Sequence, residues 1–219
     1  KCWGRDQYGQ LGDGGSNTKT NAPSSTAINL GTGRTAVAVS AARYHTCAIL
    51  DNGDLKCWGL DDVGQLGDGV SAATNLNTPS STAIDLGTGR TAVAVSAGER
   101  HTCAILDNGD MKCWGRDIYG QLGNGGTIAA NQLSPPSTAI NLGTGRTAVA
   151  VSAGHHHTCG TLDNGDLKCW GWDYYGQLGD VGSNADKASP VAVSGSNTWD
   201  SLSTTISWET PPALPAGMS

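Results

Sequence analysis

The sequence predicts an all-β protein built from repeated units of 55–56 residues, and three observations support this prediction. The stretch HTCAILDNGDLKCWG begins at His45 and returns in close variants at His101 and His157. In each copy, Asn-Gly separates two short apolar runs, which is typical of a β-hairpin. No part of the unit keeps the 3.6-residue period of an amphipathic helix over three turns. The chain is therefore expected to form many short strands.

The repeated unit has four parts and starts with KCWGRDQYGQLGDGG at Lys1. A variable polar loop of about ten residues follows, and then the nearly constant segment PSSTAINLGTGRTAVAVSA. Within it, TAVAVSA alternates β-branched residues with alanine at a period of two, which indicates a half-buried strand. The hairpin stretch completes the unit. Four short strands in a unit of about 40–60 residues are typical of one blade of a β-propeller.

The repeats occupy residues 1–190, and residues 191–219 are interpreted as a linker and the start of a further module. Because the chain opens in the middle of a unit, we expect a fragment of a longer polypeptide and an incomplete ring of about three and a half repeats. If the tail covers an end blade, Trp199 or Trp208 would pack there. The expected units are 1–55, 56–111, 112–167 and the partial unit 168–190.

The motif WGxxxYGQLGDG, followed by a proline before a strand and then by VAVSAGxxHTCAILDNGD, resembles the regulator of chromosome condensation repeat. The resemblance extends from Lys1 to about Pro190 and implies β-propeller blades, seven of which form a ring in that family. Paired cysteines in the hairpin depart from the cytosolic and nuclear members, so the chain looks more like the extracellular prokaryotic type. The segment ISWETPPALPAGMS at 206–219 resembles the opening of an immunoglobulin-like domain of large surface proteins.

The Gly-Gln-Leu-Gly segment is the most regular part of the repeat. Its glycines are expected to allow positive φ angles and close approach between blades. Its leucines, and the tryptophan of each Cys-Trp-Gly, are expected in the core between blades. These residues are Leu11, Leu66, Leu122 and Leu178, with Trp3, Trp58, Trp114 and Trp170.

The cysteine spacing predicts a disulfide inside each hairpin. A three-residue loop at 51–53 places Cys47 opposite Cys57, because Gly53 can take the left-handed conformation that the third loop position needs. A two-residue loop would instead place Cys47 opposite Trp58. Cross-strand Cβ atoms are near the separation that a disulfide requires. The predicted pairs are Cys47–Cys57, Cys103–Cys113 and Cys159–Cys169, with Cys2 unpaired.

Two alternatives to the disulfides remain open at the level of sequence. The pairs could be reduced, buried thiols, or His45, Cys47 and Cys57 could offer three zinc ligands on one face of the hairpin. Three coincident cysteine pairs favour an oxidising compartment, so we predict an extracellular or cell-surface location. No metal site and no cofactor are expected, although His45, Cys47 and Cys57 are kept as weak candidate ligands.

Composition and motifs argue against several classes of function. A formal charge of −6, with 13 scattered Lys and Arg, does not favour nucleic-acid binding. The sequence contains no run of 18 apolar residues, so it predicts no membrane-spanning helix. The DNGD turns lack the later glutamate of a calcium loop, and no G-x-S-x-G motif marks a nucleophile. We therefore predict no catalytic residues, with a secreted hydrolase or an enzyme inhibitor as an alternative.

The third and fourth units carry the candidate binding surface. Trp172, Tyr174 and Tyr175 make the fourth unit the most aromatic copy, and His155 with His156 lie directly before the hairpin stretch at the end of the third. Exposed aromatic residues are enriched at binding hot spots, although they could equally cover the end of the blade array. The histidine pair is interpreted as part of a solvated rim, with adventitious metal binding as the alternative.

The sequence predicts a noncatalytic extracellular module for protein recognition or display, with an unidentified protein or surface-glycan partner. The frame is constant while the polar loops vary between units, which is how a scaffold carries specificity. The alternative is a structural subunit of a surface layer or filament that closes or polymerises by self-association through its blade edges.

Overall fold

A computed structural model describes residues 1–15, 18–70, 75–126 and 131–195, and these residues form twelve β-strands and no helix. The all-β prediction is therefore confirmed. The immunoglobulin-like resemblance at 206–219 and the expected contacts of Trp199 and Trp208 lie outside the described residues. In chain order the strands are β1 Gly4–Asp6, β2 Thr18–Thr20, β3 Ala36–Ala41, β4 His45–Leu50, β5 Leu55–Gly59, β6 Ala92–Ala97, β7 His101–Leu106, β8 Met111–Gly115, β9 Ala148–Ala153, β10 His157–Leu162, β11 Leu167–Gly171 and β12 Lys187–Ala192.

The strands form four antiparallel sheets that correspond to successive blades. The first holds β1 and β2, the second β3-β4-β5, the third β6-β7-β8 and the fourth β9-β10-β11-β12. The Ala-Val-Ala-Val-Ser-Ala strands β3, β6 and β9 are the first strands of their sheets and contact one another in series. These strands therefore form the inner side of the blades, where the sheets approach most closely.

The outer edge of each blade uses the segment after the Gly-Gln-Leu-Gly motif. Leu76 and Gln132 each form a β-bridge, to Gly59 and Gly115 respectively. In the fourth sheet the same place is taken by β12, which pairs with β11. The Ser-Pro-Val-Ala segment is thus an outer strand, although its sequence resembles the inner one, and it continues two residues past the expected end of the repeats at 190. An edge position suits Pro190, which has no N–H to donate to a ladder.

The hairpin has the register that the three-residue loop predicts. Cys47 lies opposite Cys57, and the amide of Leu50 donates to the carbonyl of Asp54 at 2.9 Å. Gly53 has a φ of 82°, as the third loop position requires. The structure joins Cys47 to Cys57, Cys103 to Cys113 and Cys159 to Cys169, and Cys2 is free.

The core between blades is built from the predicted leucines and from three of the four tryptophans. Leu66, Leu122 and Leu178 are at most 1% exposed, and so are Trp58, Trp114 and Trp170. Each buried tryptophan covers the second glycine of the preceding Gly-Gln-Leu-Gly segment: a Cβ added to Gly67 would lie 2.5 Å from Nε1 of Trp114.

Trp3 departs from the prediction that all four tryptophans are core residues, because it is 60% exposed. Its three equivalents are covered by the Gly-Gln-Leu-Gly segment of the blade before them. The part of the chain that the structure describes contains no such segment ahead of Trp3. The side chain therefore lacks the surface on which its equivalents pack.

Candidate functional site

One end of the blade stack carries a set of loops whose residues occupy equivalent positions in successive units. The turns between β3 and β4, β6 and β7, and β9 and β10 all lie at this end, as do the chain exits from β5, β8 and β11. Backbone hydrogen bonds tie each exit to the turn beside it, for example from Trp172 N to His156 O at 2.9 Å. Side chains from both kinds of loop are therefore held next to one another.

Six ring-bearing side chains in these loops form a continuous surface, which we call the aromatic rim: Tyr119, His155, His156, Trp172, Tyr174 and Tyr175. The Trp172 ring stacks on Tyr174 with centroids 6.1 Å apart and meets Tyr175 edge-on at 5.3 Å. His156 lies 4.9 Å from Tyr119 and 5.9 Å from Trp172. Tyr174 and Tyr175 are 64% and 76% exposed, so the rim presents a large apolar area to solvent.

All five residues of the predicted binding surface fall within this rim, where the fourth sheet meets the third. Tyr119 is an addition that sequence reasoning missed. It occupies the position of Tyr175 one unit earlier, so alignment of the units could have found it.

A cluster of ionisable side chains around Glu99 adjoins the aromatic rim on the inner side. Arg43, Glu99 and His155 occupy the same position in three successive units. The Glu99 carboxylate accepts from Arg43 Nη1 at 3.0 Å and lies 2.9 Å from His155 Nε2. Its other oxygen is 3.8 Å from His156 Nε2. The side chain of Glu99 is only 8% exposed, so a nearly buried carboxylate of the third sheet contacts side chains of both the second and the fourth sheet.

The same end of the stack continues into a second aromatic and cationic group on the earlier blades. The guanidinium groups of Arg43 and Arg100 lie 4.9 and 5.0 Å from the ring centroid of Tyr44, within cation–π range. Tyr44 meets Tyr8 edge-on at 5.5 Å. Arg100 also forms an ion pair with Asp62. This face of the blades therefore combines aromatic rings with paired charges across all four sheets.

The repeated histidines at the start of each hairpin serve the junction between blades. His45 Nε2 lies 2.8 Å from Thr102 Oγ1, and Thr102 donates its own proton to the carbonyl of Gln65. The histidine must therefore donate, which fixes it as the neutral Nε2–H tautomer. Burial lowers the pKa of His45 to about 4. His101 repeats the arrangement with Thr158 at 2.9 Å, and burial with neighbouring histidines lowers its pKa to about 3.

The weak zinc candidates are separated by this arrangement. His45 directs Nε2 to Thr102 of the next blade, and its Nδ1 has no partner among the described residues. Cys47 and Cys57 are joined to each other and offer no thiolate. The structure therefore brings no shared metal-binding geometry to these three residues.

The Regulator of chromosome condensation (RCC1) repeat profile matches residues 2–49, 52–105 and 108–160. A second profile of the same repeat matches 36–65, 92–121 and 148–177, which begin at the inner strands and end within the Gly-Gln-Leu segments. The first set alone covers more than half of the chain. The chain belongs to the RCC1 repeat family. The expected resemblance is thus confirmed, and the sheets described above are RCC1-type blades.

Several characterised RCC1-repeat proteins are similar to this chain. The ultraviolet-B receptor UVR8 of Arabidopsis thaliana is 34% identical over 196 residues, which are 88% of this chain and 41% of the receptor. The secretion-regulating guanine nucleotide exchange factor of Bos taurus is 30% identical over 171 residues, or 73% of this chain and 36% of that protein. The chain therefore spans less than half the length of these relatives.

Solved RCC1 propellers share the architecture. Human WBSCR16 superposes with a TM-score of 0.73 at 21% identity, covering 88% of this chain and 48% of that one. Yeast RCC1 (Prp20), in its structure with Kap60, gives a TM-score of 0.72 at 22% identity over 90% of this chain and 44% of that one. At these identities the likeness establishes the fold alone.

Within the described residues, no helix is long and apolar enough to cross a membrane.

Proposed function

We propose that this chain is a noncatalytic protein-recognition module whose contact surface is the aromatic rim. One observation carries the proposal: six rings from two blades form a continuous, partly exposed surface on rigid β-scaffolding. Tryptophan and tyrosine are the residues that most often dominate binding energy at protein interfaces. The neighbouring paired charges would supply a polar border that fixes orientation.

The relatives support protein recognition as the class of function. One solved RCC1-type chain is bound to Kap60, and another was studied for its binding to Gsp1p and histones. These partners belong to those proteins. For this chain, we propose recognition of a protein through the rim, without assigning any of those partners.

The contacts of His45 and His101 favour binding over catalysis. His45 and His101 contact threonine hydroxyls, as a base contacts a nucleophile, yet both rings are 0% exposed. Each threonine also donates its proton to a backbone carbonyl, so the hydroxyl is not oriented for attack. A triad needs a reachable nucleophile and a basic imidazole, and these pairs offer neither.

We further propose that the protein works in an oxidising compartment, outside the cell or on its surface. Three hairpin disulfides support this proposal, because reducing compartments do not maintain such pairs.

The proposal is tested by converting the rim to a polar surface. Partners crosslinked through a photoreactive residue at position 175 would be identified from surface extracts of the source cells, and each would be purified for calorimetry. The triple variant Trp172→Ser, Tyr174→Ser, Tyr175→Ser should weaken binding by at least about 30-fold, the scale of a hot-spot loss.

Trp3→Ser is the matched control, since Trp3 is an exposed aromatic side chain outside the rim. It should leave partner affinity unchanged. Equal affinities for wild type and the triple variant would overturn the proposal.

A further inference from the structure

We propose that Glu99, His155 and His156 form a binding site for one divalent transition-metal ion of the zinc class. The site lies on the inner rim where the third sheet meets the fourth. It goes beyond the proposed recognition function, and its test does not require a protein partner.

The distances between the three side chains fit a metal ion. Glu99 Oε1 lies 2.9 Å from His155 Nε2, Oε2 lies 3.8 Å from His156 Nε2, and the ligand atoms all fall within 4.8 Å of one another. In a tetrahedral zinc site with bonds of about 2.0–2.1 Å, neighbouring ligand atoms are about 3.3 Å apart. The two glutamate–histidine distances bracket that value, although they involve different carboxylate oxygens. Because the ligand atoms lie within 4.8 Å of one another, side-chain rotations are needed to bring all three to one ion.

The ligand chemistry also suits zinc. Two imidazoles and one carboxylate form a set that protein zinc sites use when a fourth position stays open to water or substrate.

Two of the three ligands are held in place before any ion arrives. The side chains of Glu99 and His156 are 8% and 14% exposed. Tyr119 and Trp172 contact the His156 ring, with centroids 4.9 and 5.9 Å away. Such support lowers the entropy lost on binding. His155, whose side chain is 55% exposed, can complete the site from the solvent side.

The metal-free state already contains a cation that such an ion would replace. Arg43 Nη1 lies 3.0 Å from Glu99 Oε1, and the Arg43 side chain is 55% exposed and can turn into solvent. The position of these residues in the repeat explains why the site occurs at this junction. At the preceding junction, the positions of His155 and His156 are held by Glu99 and Arg100, which include no imidazole.

The test uses the full 219-residue chain without a polyhistidine tag and with Cys2→Ser, so that the free thiol cannot bind metal. Calorimetry with Zn²⁺ should give one ion per chain, and Co²⁺ should give visible d–d absorption typical of a low-coordinate site. His155→Ala, His156→Ala and Glu99→Gln should each lower Zn²⁺ affinity by more than the ~10–100-fold that loss of an outer-shell contact costs.

Two further variants separate a metal site from a general effect on the surface. Asp163→Asn removes a carboxylate paired with Arg146 at the far end of β10, and it should leave Zn²⁺ affinity unchanged. Arg43→Met removes the competing cation and should raise the affinity, a result that a purely structural role would not produce.

The proposal would be overturned if each of the three single variants kept the wild-type affinity for Zn²⁺. No detectable Zn²⁺ binding by the wild type would also overturn it. Thermal unfolding without metal checks that the variants fold. His155→Ala keeps the test decisive if Glu99→Gln or His156→Ala does not fold, because His155 is the exposed ligand.

Discussion

Asp61 and Asp68 bring two carboxyl groups together across a single Gly-Gln-Leu-Gly turn, and burial with this neighbour raises the pKa of Asp61 to about 7. The backbone amide of Leu66 donates to Asp61 Oδ1 at 3.1 Å, which opposes the rise without cancelling it. The equivalent pair in the next unit is Asp117 with Asn124, whose amide donates to Asp117 at 3.1 Å. The Asn124 amide therefore opposes the rise in the pKa of Asp117 that burial causes, whereas the Asp68 carboxyl group adds to the rise in the pKa of Asp61.

Asp68→Asn should stabilise the protein at pH 8 and have little effect at pH 4. The folded-state pKa of Asp61 lies above its ordinary value of 3.8, so its stabilising contribution is present below pH 4 and lost as the pH rises through about 7. An amide at position 68 can donate to the ionised Asp61 and should add about 1 kcal/mol to the free energy of unfolding at pH 8. Urea unfolding at both pH values measures the difference.

The reciprocal change provides the control for this carboxyl pair. Asn124→Asp should create the same pair with Asp117 and should destabilise the protein at pH 8 more than at pH 4. The interpretation is wrong if both substitutions change stability by the same amount at the two pH values.

Local sequence features predict the hairpin but not the cluster of ionisable side chains around Glu99. The register of Cys47 and Cys57 follows from three adjacent loop residues and one glycine, so no knowledge of blade packing is needed. The contact between Glu99 and His155 joins residues a whole unit apart, and it exists because neighbouring blades place equivalent positions side by side. Aligning the units and comparing Arg43, Glu99 and His155 is the signal that could have found it.

The exposure of Trp3 marks a second limit of prediction from repeats. Equivalent sequence positions share an environment only when both neighbouring blades are present, since each tryptophan packs on the unit before it. Ser-Pro-Val-Ala resembles an inner strand, but β9 already occupies the inner edge of the fourth sheet, so this segment pairs at the free outer edge of β11. Hydrophobic pattern identifies a strand, while its place in the sheet depends on which edge is free.

Gly123→Ala should lower the free energy of unfolding by about 3 kcal/mol or more, measured by denaturant unfolding. A Cβ at this position would lie 2.6 Å from Nε1 of Trp170, which is fully buried and donates to the Gln121 carbonyl. Overpacking of this kind costs about 1–3 kcal/mol, in addition to about 1–2 kcal/mol for alanine at a left-handed φ.

Gly145→Ala separates these two costs. Gly145 has the same φ of 68° as Gly123, but nothing lies within 4 Å of an added Cβ. Gly145→Ala should lower the free energy of unfolding only by the ~1–2 kcal/mol that alanine costs at a left-handed φ. Equal losses at the two positions would mean that the contact between Trp170 and Gly123 contributes no packing constraint.

His45 and His101 should make the protein less stable as the pH falls from 6.5 towards 4. Burial lowers the pKa of the two rings to about 4 and about 3, while the unfolded chain takes up protons near 6.5. The unfolded state then binds more protons, which removes up to about 1.4 kcal/mol per pH unit for each histidine. His101→Gln should reduce the slope of the free energy of unfolding against pH by up to about 1.4 kcal/mol per pH unit, the contribution of one histidine. The double variant with His45→Gln should reduce the slope by the contribution of both histidines. Unchanged slopes would contradict a proton-linked role for these rings.

The six hairpin cysteines of the protein in its source cells should all be oxidised. The cysteines of each of the three hairpin pairs lie opposite each other in register. Cells lysed into an alkylating agent, followed by peptide mass mapping, should show these six cysteines unlabelled before reduction and labelled after it. Replacing Cys103 and Cys113 together by serine should lower the free energy of unfolding by about 2–3 kcal/mol, the entropy of closing a loop of about ten residues. Labels on all six hairpin cysteines without reduction would place the protein in a reducing compartment and remove the support for an extracellular role, because folded hairpins of this register would oxidise wherever the compartment allowed it.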